Sequence, residues 1–229
     1  MKYKNGFTKA ITFSFDDGNI DDIRLVELLR KYGLKGTFNL SSGLLTNSGG
    51  WTFKNTKQVK HINFMDYPNL YDGFEVATHS YSHPHLEQAD DNTVYNEIKL
   101  DKMLLRYMYG YEIRGMALPF GTYNERTVEI IRDCGIKYCR TVKATHNFDL
   151  PTDVILNPTC HFMDNKLFSL AEDFLNTEYS EAKLFYIWGH SYELVTEEDW
   201  AKFEEFCKMI SGKKDIWYCN NIEAIDALS

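Results

Sequence analysis

The sequence has few of the features that mark secreted, membrane or nucleic-acid-binding proteins. Its five cysteines include no CxxC pair, and their odd number does not indicate a disulfide framework. No apolar run approaches the roughly 20 residues that a membrane-spanning helix needs, and no signal-peptide pattern follows the basic first residues. We therefore expect a protein of a reducing compartment, the cytoplasm, without a membrane partner.

Positive charge is also scarce. The formal net charge of −8 argues against a nucleic-acid groove, because such a groove needs a basic face. Hydrophobic residues make up 44% of the chain and charged residues 25%, which is typical of a globular protein. Since no Pro/Gly/Ser-rich linker or repeat divides its 229 residues, we predict one domain over residues 1–229.

What the chain does contain is a regular alternation of strand-like and helix-like segments. Residues 11–15 are β-branched and aromatic, which predicts a strand, and residues 21–32 have helical spacing. Further strands are predicted at 36–40, 73–78, 115–118, 137–142, 154–159, 184–188 and 215–219. Further helices are predicted at 93–109 with Asp91 or Asn92 near the cap, at 124–135, 167–175 and 196–210, and from 221.

Seven or eight strands alternating with helices predict an α/β fold with a parallel sheet. At this length we expect a closed or partly closed β/α barrel, with an open doubly wound sheet as the alternative. Residues 41–68 fit neither the strand nor the helix pattern, and we interpret them as a long excursion and a candidate substrate-side loop.

Polar and titratable residues follow the predicted strands with unusual regularity. Active sites of β/α folds are assembled at the carboxyl ends of the strands, so we expect these residues to share one wall of the molecule. They are Asp16, Asp17, His79, residues 119–121, Arg140, His161, His190 and Asn220.

Asp16 and Asp17 begin the candidate site. Two adjacent carboxylates repel each other unless a cation or a proton lies between them. The alternative is a solvated turn in which Asp17 or Asn19 caps the next helix.

His79 and His83 are four residues apart, a common spacing for chelating one ion. Two imidazoles and one carboxylate form a ligand set that leaves positions open for water and substrate. The alternatives are a pair of surface histidines, or a ligand pair formed by His83 and His85. Pro84 favours a rigid loop here over a long helix.

Two further motifs could supply catalytic groups. After Pro119, the backbone N–H of Phe120, or that of Gly121, could stabilise an oxyanion, although an ordinary strand-to-helix turn is the alternative. His190 follows a buried strand and could act as a general acid, with His161 competing for that role. A histidine in either place could also be purely structural.

The order of these motifs, from about residue 12 to about residue 192, resembles the polysaccharide deacetylase family. This family is also called carbohydrate esterase family 4 or the NodB-homology domain. The resemblance implies a distorted β/α barrel with about seven strands. Family members remove acetyl groups from N-acetylated sugars such as chitin or peptidoglycan, or from O-acetylated xylan, and some relatives hydrolyse small cyclic imides or amides.

The same resemblance implies a role for each candidate residue. Asp16 would be the catalytic base, His190 the catalytic acid, and the Phe120 N–H an oxyanion donor. The divalent metal would be held by Asp17, His79 and His83. Zinc is the first choice for two histidines and a carboxylate, although cobalt, nickel or manganese would also suit them.

The sequence departs from the family pattern in two places. Ala117 stands where the family usually has an arginine, and Arg140 at the next strand end could reach the same space better than Arg114. The acidic residue and tryptophan of the fourth family motif have no clear counterpart, with Asp149 as a loose candidate. We therefore expect acetylated carbohydrate or a small amide as substrate, with a non-catalytic carbohydrate-binding relative as a third hypothesis. The sequence does not indicate an oligomeric state.

Overall fold

The computed structural model of the protein describes residues 2–46 and 49–227. The ends of the predicted domain, residues 1 and 228–229, and residues 47–48 of the excursion lie outside the described residues. Within them, nine strands join one sheet in which every pair is parallel, and two more form an antiparallel hairpin. The predicted α/β architecture with a parallel sheet is therefore confirmed.

The strands and helices occur in the predicted order, mostly with shorter bounds. The strands are β1 (Lys9–Asp16), β2 (Gly36–Leu40), β3 (Gly50–Phe53), β4 (Lys57–Lys60), β5 (Glu75–Thr78), β6 (Gly115–Ala117), β7 (Tyr138–Arg140), β8 (Ile155–Leu156), β9 (Cys160–His161), β10 (Lys183–Gly189) and β11 (Ile216–Tyr218). The helices are α1 (Asp22–Lys31), α2 (Asp91–Tyr109), α3 (Glu125–Asp133), α4 (Leu167–Asn176), α5 (Glu197–Ile210) and α6 (Asn221–Asp226).

The sheet closes on itself through one extended segment. The strand order is β8-β7-β6-β5-β2-β1-β10-β9, with β11 paired to β1, so the path begins and ends on strands only three residues apart. This segment pairs first with β7 and then with β10, which produces a distorted barrel. We predicted one continuous strand over 154–159, and this was wrong because Pro158 has no N–H to donate and the segment changes partner there.

The side chains of β1 alternate between the helices and the interior of the barrel. Phe13 and Phe15 point outward and pack edge-on against Phe203 of α5. Thr12 lies on the opposite face, where its hydroxyl bonds the Asn221 amide at 2.7 Å, and Ser14 and Asp16 share that face. The barrel interior is therefore polar, and it leads to Asp16 at the carboxyl end of the strand.

Side-chain caps set where several helices begin. The Asp90 carboxylate accepts the N–H groups of Asn92 and Thr93, so Asp90 is the cap, directly before Asp91 and Asn92, the residues predicted near it. Asn124 caps α3 as predicted. Thr196 opens α5 in a capping box with Asp199, which explains the sharp start of that helix.

The excursion over residues 41–68 contains the β3–β4 hairpin, a regular element that the sequence pattern did not reveal. Two backbone bonds tie its second strand to the loop after β1, from Ile20 N–H to the Lys60 carbonyl (2.9 Å) and from Ile62 N–H to the Gly18 carbonyl (2.8 Å). Lys57 adds a salt bridge of 3.0 Å to Asp21. The hairpin is thus fixed at the carboxyl end of the barrel.

One predicted member of the polar wall lies elsewhere. Asn220 accepts the N–H of Gly36, the first residue of β2, so it lies towards the amino end of that strand and not at the site. β11 pairs with the first half of β1, and this register could not be read from its sequence. All five cysteines are buried and free, and none of the helices in the described part of the chain has the length and apolar character needed to cross a membrane.

Candidate active site

The carboxyl ends of β1, β5, β7 and β10 bring most of the predicted site residues together. They border a cleft of about 370 Å³, a volume within the usual range for small-ligand sites. The cleft is lined by Asp17, Leu44, Trp51, His61, Ser82, His83 and Tyr192.

Asp17, His79 and His83 form a group whose spacing suits one metal ion. Asp17 Oδ1 lies 3.7 Å from Nε2 of each histidine. Two ligand atoms about 2.1 Å from a shared tetrahedral ion would lie about 3.4 Å apart, so only a small adjustment is needed. The donor set and its spacing therefore fit a divalent cation.

The two imidazoles are oriented as metal ligands. Nδ1 of His79 lies 2.8 Å from the Ala117 carbonyl oxygen and donates to it, which turns Nε2 towards the metal-ligand group. Burial and the neighbouring His79 lower the pKa of His83 to about 4, which keeps that ring unprotonated near neutral pH. A neutral imidazole is the form that binds metals.

The backbone is strained around this group. Asp17, Ser80, His83 and Phe120 all have left-handed φ angles, of 76°, 62°, 59° and 58°. Such residues cost free energy and persist only where the surrounding structure holds them, often at functional sites. The loop after β5 is therefore shaped to present its histidines, and it is a loop and not a helix, as Pro84 indicated.

His85 does not join the ligand group. Its ring stacks on Phe120, with centroids 3.8 Å apart, and its Nδ1 lies 3.3 Å from Glu87 Oε1. The alternative ligand pair of His83 and His85 is therefore not the one that the structure brings together.

Asp16 lies behind the cleft in a buried ion pair with Arg140. The guanidinium bonds Asp16 Oδ2, and the Asn39 amide donates to Oδ1 at 2.9 Å. Burial alone would raise the pKa of Asp16, but the charges of Arg140, His79 and His190 outweigh it and lower the pKa. Asp16 is thus held as a carboxylate.

Arg140 occupies the space opened by the alanine at position 117. Ala117 on β6 and Arg140 on β7 are direct partners in the sheet, so the two side chains lie at the same level of the barrel. The guanidinium also packs over the Trp188 ring, 4.6 Å from its centroid. Arg114 instead pairs with Asp226.

His190 faces the same centre from the end of β10. Its Nε2 lies 3.8 Å from Asp16 Oδ2 and 3.9 Å from Asp17 Oδ2. Its Nδ1 lies 3.1 Å from Glu193 Oε2. Burial would lower the pKa of His190, but the bond to Glu193 and the two aspartates raise it to about 9.

Glu193 is a functional candidate that we did not predict. Its Oε2 also lies 2.9 Å from His161 Nε2. Since the Met163 N–H donates to His161 Nδ1, the His161 ring carries its proton on Nε2 and donates it to Glu193. The three-residue spacing of a capping box from His190 to Glu193 was the available signal. Asp149, the loose candidate for an acidic partner, instead pairs with Lys183.

Phe120 lies beside the metal-ligand group, with its ring 4.6 Å from that of His83. The N–H of Gly121, the other candidate oxyanion donor, donates to the Leu118 carbonyl at 2.9 Å. That bond leaves Phe120 as the backbone donor to consider at this position.

The fold is a distorted β/α barrel, and a candidate metal site lies at the carboxyl ends of its strands. Together these two features define the class of the protein. The family model described as polysaccharide deacetylase matches residues 4–139, more than half of the chain. The chain therefore belongs to the polysaccharide deacetylase family.

Curated and solved relatives agree with this assignment. The chain is 29% identical over 126 residues to the peptidoglycan-N-acetylglucosamine deacetylase PgdA of Listeria monocytogenes, which covers 54% of this chain and 24% of that protein. The chain thus spans about a quarter of the length of the curated relatives that it matches.

Two solved structures share the fold at low sequence identity. A family 4 carbohydrate esterase from Streptomyces lividans, in complex with acetate, matches with a TM-score of 0.56 at 16% identity and 92% coverage of both chains. BA3943 from Bacillus anthracis, described as a family pseudoenzyme, matches with a TM-score of 0.55 at 15% identity, covering 96% of this chain and 66% of that one. The predicted NodB-like barrel is confirmed.

Proposed function

We propose that the protein is a metal-dependent deacetylase that removes acetyl groups from N- or O-acetylated carbohydrate. The observation that carries this proposal is the convergence of three chemical groups at the carboxyl end of the barrel. They are the ligand group around Asp17, the carboxylate of Asp16 and the imidazole of His190, whose nearest atoms lie within 4 Å of one another. Metal-assisted hydrolysis of an acetyl group uses a Lewis acid, a base and an acid, and these three groups can supply them.

A divalent ion held by Asp17, His79 and His83, with zinc as first choice and cobalt, nickel or manganese as alternatives, would supply Lewis-acid chemistry beside the acyl carbonyl. Asp16 accepts the proton of the attacking water, while Arg140 and Asn39 hold its carboxylate in place. A positioned base of this kind typically contributes roughly 10²–10⁴-fold in rate.

The remaining groups stabilise the negative charge on the carbonyl oxygen and protonate the leaving group. The Phe120 N–H donates to the carbonyl oxygen as negative charge develops there. His190 donates its Nε2 proton to the leaving nitrogen or oxygen, and the Glu193 carboxylate holds the opposite side of the ring. The bond between Glu193 and His190 supports the protonated form that an acid requires.

The contact between Arg140 and Asp16 removes the main argument for the alternative, a carbohydrate-binding relative that has lost catalysis. The absence of an arginine at position 117 suggested lost turnover, but Arg140 reaches the base from the neighbouring strand. A small-amide or imide hydrolase of the same fold stays the alternative activity, and the cytoplasmic location and the single domain over residues 1–229 stay predictions.

Acetate release from a substrate panel tests the proposal. The panel contains chitooligosaccharides, acetylated xylan, a chromogenic acetyl ester and a small cyclic imide, each with and without a chelator. We expect release from an acetylated carbohydrate that stops on chelation and returns with zinc or another divalent ion. Release that persists after the chelator has removed all metal, or carbohydrate binding without release, would contradict the proposal.

A further inference from the structure

The β3–β4 hairpin and the residue that follows it form one side of the cleft. We infer that Trp51 and His61 are a glycan-binding wall, which makes the enzyme prefer an oligosaccharide over a small acetyl compound. This inference rests on the proposed function and assigns substrate selectivity to a segment outside the metal and acid–base groups.

Trp51 supplies an apolar surface beside the metal-ligand group. It lines the cleft together with Asp17 and His83. Its ring stands edge-on to Tyr192, with centroids 5.1 Å apart and planes at 89°, and lies 5.1 Å from the ring of His61. A pyranose ring presents a face of C–H groups, which an indole in this position can cover.

His61 adds a polar group next to that surface. Its Nδ1 lies 3.2 Å from the Asp17 carbonyl oxygen, so Nδ1 carries the proton and donates it there. The other ring nitrogen, Nε2, can hydrogen-bond a hydroxyl group, which both donates and accepts, and His61 lines the cleft. An apolar face beside a hydrogen-bonding nitrogen matches a ring that carries hydroxyl groups, whereas a cyclic imide or a simple acetyl ester offers no hydroxyl to His61.

The wall is formed before any substrate arrives. The backbone bonds from Ile20 and Ile62 hold the second hairpin strand, and Lys57 reaches both Asp21 (3.0 Å) and the Leu194 carbonyl (3.2 Å). Contacts with parts of a substrate outside the reacting acetyl group support only those substrates that have such parts. Loss of the wall therefore weakens turnover of an oligosaccharide and spares a small ester.

The test is Trp51→Ala, with acetate release measured on a chitin tetrasaccharide and on 4-nitrophenyl acetate. We expect kcat/KM for the tetrasaccharide to fall ~10-fold, as for loss of one stacked ring, and kcat/KM for the ester to change by less than about 2-fold. Trp51→Phe keeps an aromatic face and should retain most of the tetrasaccharide activity.

Phe53→Ala is the matched control. Phe53 shares the hairpin face of Trp51 and also packs on Tyr192, with centroids 5.0 Å apart, but it is not among the residues that line the cleft. We expect this variant to leave both substrates almost unaffected. An equal loss on both substrates in Trp51→Ala, or unchanged tetrasaccharide turnover, would overturn the inference.

A measurement of glycan binding distinguishes failure of this inference from failure of the proposed function. If the wild type releases no acetate from any carbohydrate, the proposed function fails. Calorimetric titration with the tetrasaccharide then still tests whether Trp51 and His61 bind a glycan. Binding that Trp51→Ala weakens supports the wall, whereas absence of binding to the wild type overturns it.

Discussion

Two groups of three residues lie side by side at the carboxyl end of the barrel, and they are built from the same kinds of side chain. Asp17, His79 and His83 form the first, and His161, His190 and Glu193 form the second. Each combines two imidazoles with one carboxylate. Composition alone would assign a metal ion to both.

Spacing separates the two groups. In the first, the carboxylate oxygen lies 3.7 Å from each ring nitrogen, which leaves room for an ion between them. In the second, Glu193 Oε2 lies 2.9 Å and 3.1 Å from nitrogens of the two rings, so hydrogen bonds already join the carboxylate to both rings. The same side chains are thus arranged for a cation in one place and for hydrogen bonds in the other.

Removing a ligand from the first group should have the largest effect. Asp17→Ala is expected to lose the bound metal and to abolish acetate release, a loss larger than the ~100-fold that outer-shell partners of a metal contribute. Elemental analysis beside the activity assay checks this. Metal content that matches the wild type would show that Asp17 is not a ligand.

Arg140→Met tests the ion pair behind the metal group. Asp16 would remain buried without its guanidinium partner, so the free energy of unfolding should fall by about 3–5 kcal/mol, together with activity. Urea denaturation measures the change. Adding Asp16→Asn to the variant should restore most of the stability, and a double variant no more stable than Arg140→Met alone would argue against the coupling.

Glu193→Gln should affect the second group alone. Since Glu193 supports the protonated form of His190, we expect kcat to fall roughly 10–100-fold with metal content unchanged. Loss of turnover with the metal retained distinguishes this variant from Asp17→Ala, which should lose the metal as well. If Glu193→Gln also released the metal, the two groups would be one coupled site and the comparison between them would fail.

Glu75 extends the comparison to a carboxylate that contacts no cationic side chain among the described residues. It lies in the barrel interior, where it accepts hydrogen bonds from Thr37 and Tyr138, and burial raises its pKa to about 7. Because the folded pKa exceeds the unfolded value of 4.5, stability is fully present below about pH 4.5 and falls as the pH rises to about 7.

The smallest predicted effect is the removal of this pH dependence. Glu75→Gln should lose less stability than the wild type between about pH 5 and pH 8, by at most about 3 kcal/mol, as measured by urea denaturation at each pH. Parallel stability curves for the two proteins would show that Glu75 titrates normally in the folded state.

The metal-ligand candidates could be predicted because each is encoded locally. Asp17 and His79 directly follow the last residues of β1 and β5, and their position past the strand end is enough to bring them to one edge of the sheet. His83 follows in the same loop. The barrel fold was predictable for the same reason, since alternating strand and helix patterns constrain the topology.

The rest depends on register and on loops. That Arg140 lies level with Ala117 follows from the pairing of β6 with β7, which neither strand reveals alone. The register of β11 likewise placed Asn220 away from the site. Trp51 lies in the β3–β4 hairpin, and His61 directly follows it. The turn of this hairpin at Lys54 and Asn55 has left-handed φ angles of 48° and 57°, a signal easily missed inside a long excursion.

The segment that closes the barrel also divides the chemistry. Arg140, which supports the base, ends β7 on one side of this seam, whereas His161, which supports the acid's carboxylate, ends β9 on the other. β8 and β9 contribute only two residues each, so the seam has the shortest strands of the sheet. A local opening there would loosen Arg140 and His161, which support the base and the acid, while the directly paired strands β1 and β10 keep Asp16 and His190 side by side and the metal ligands stay assembled.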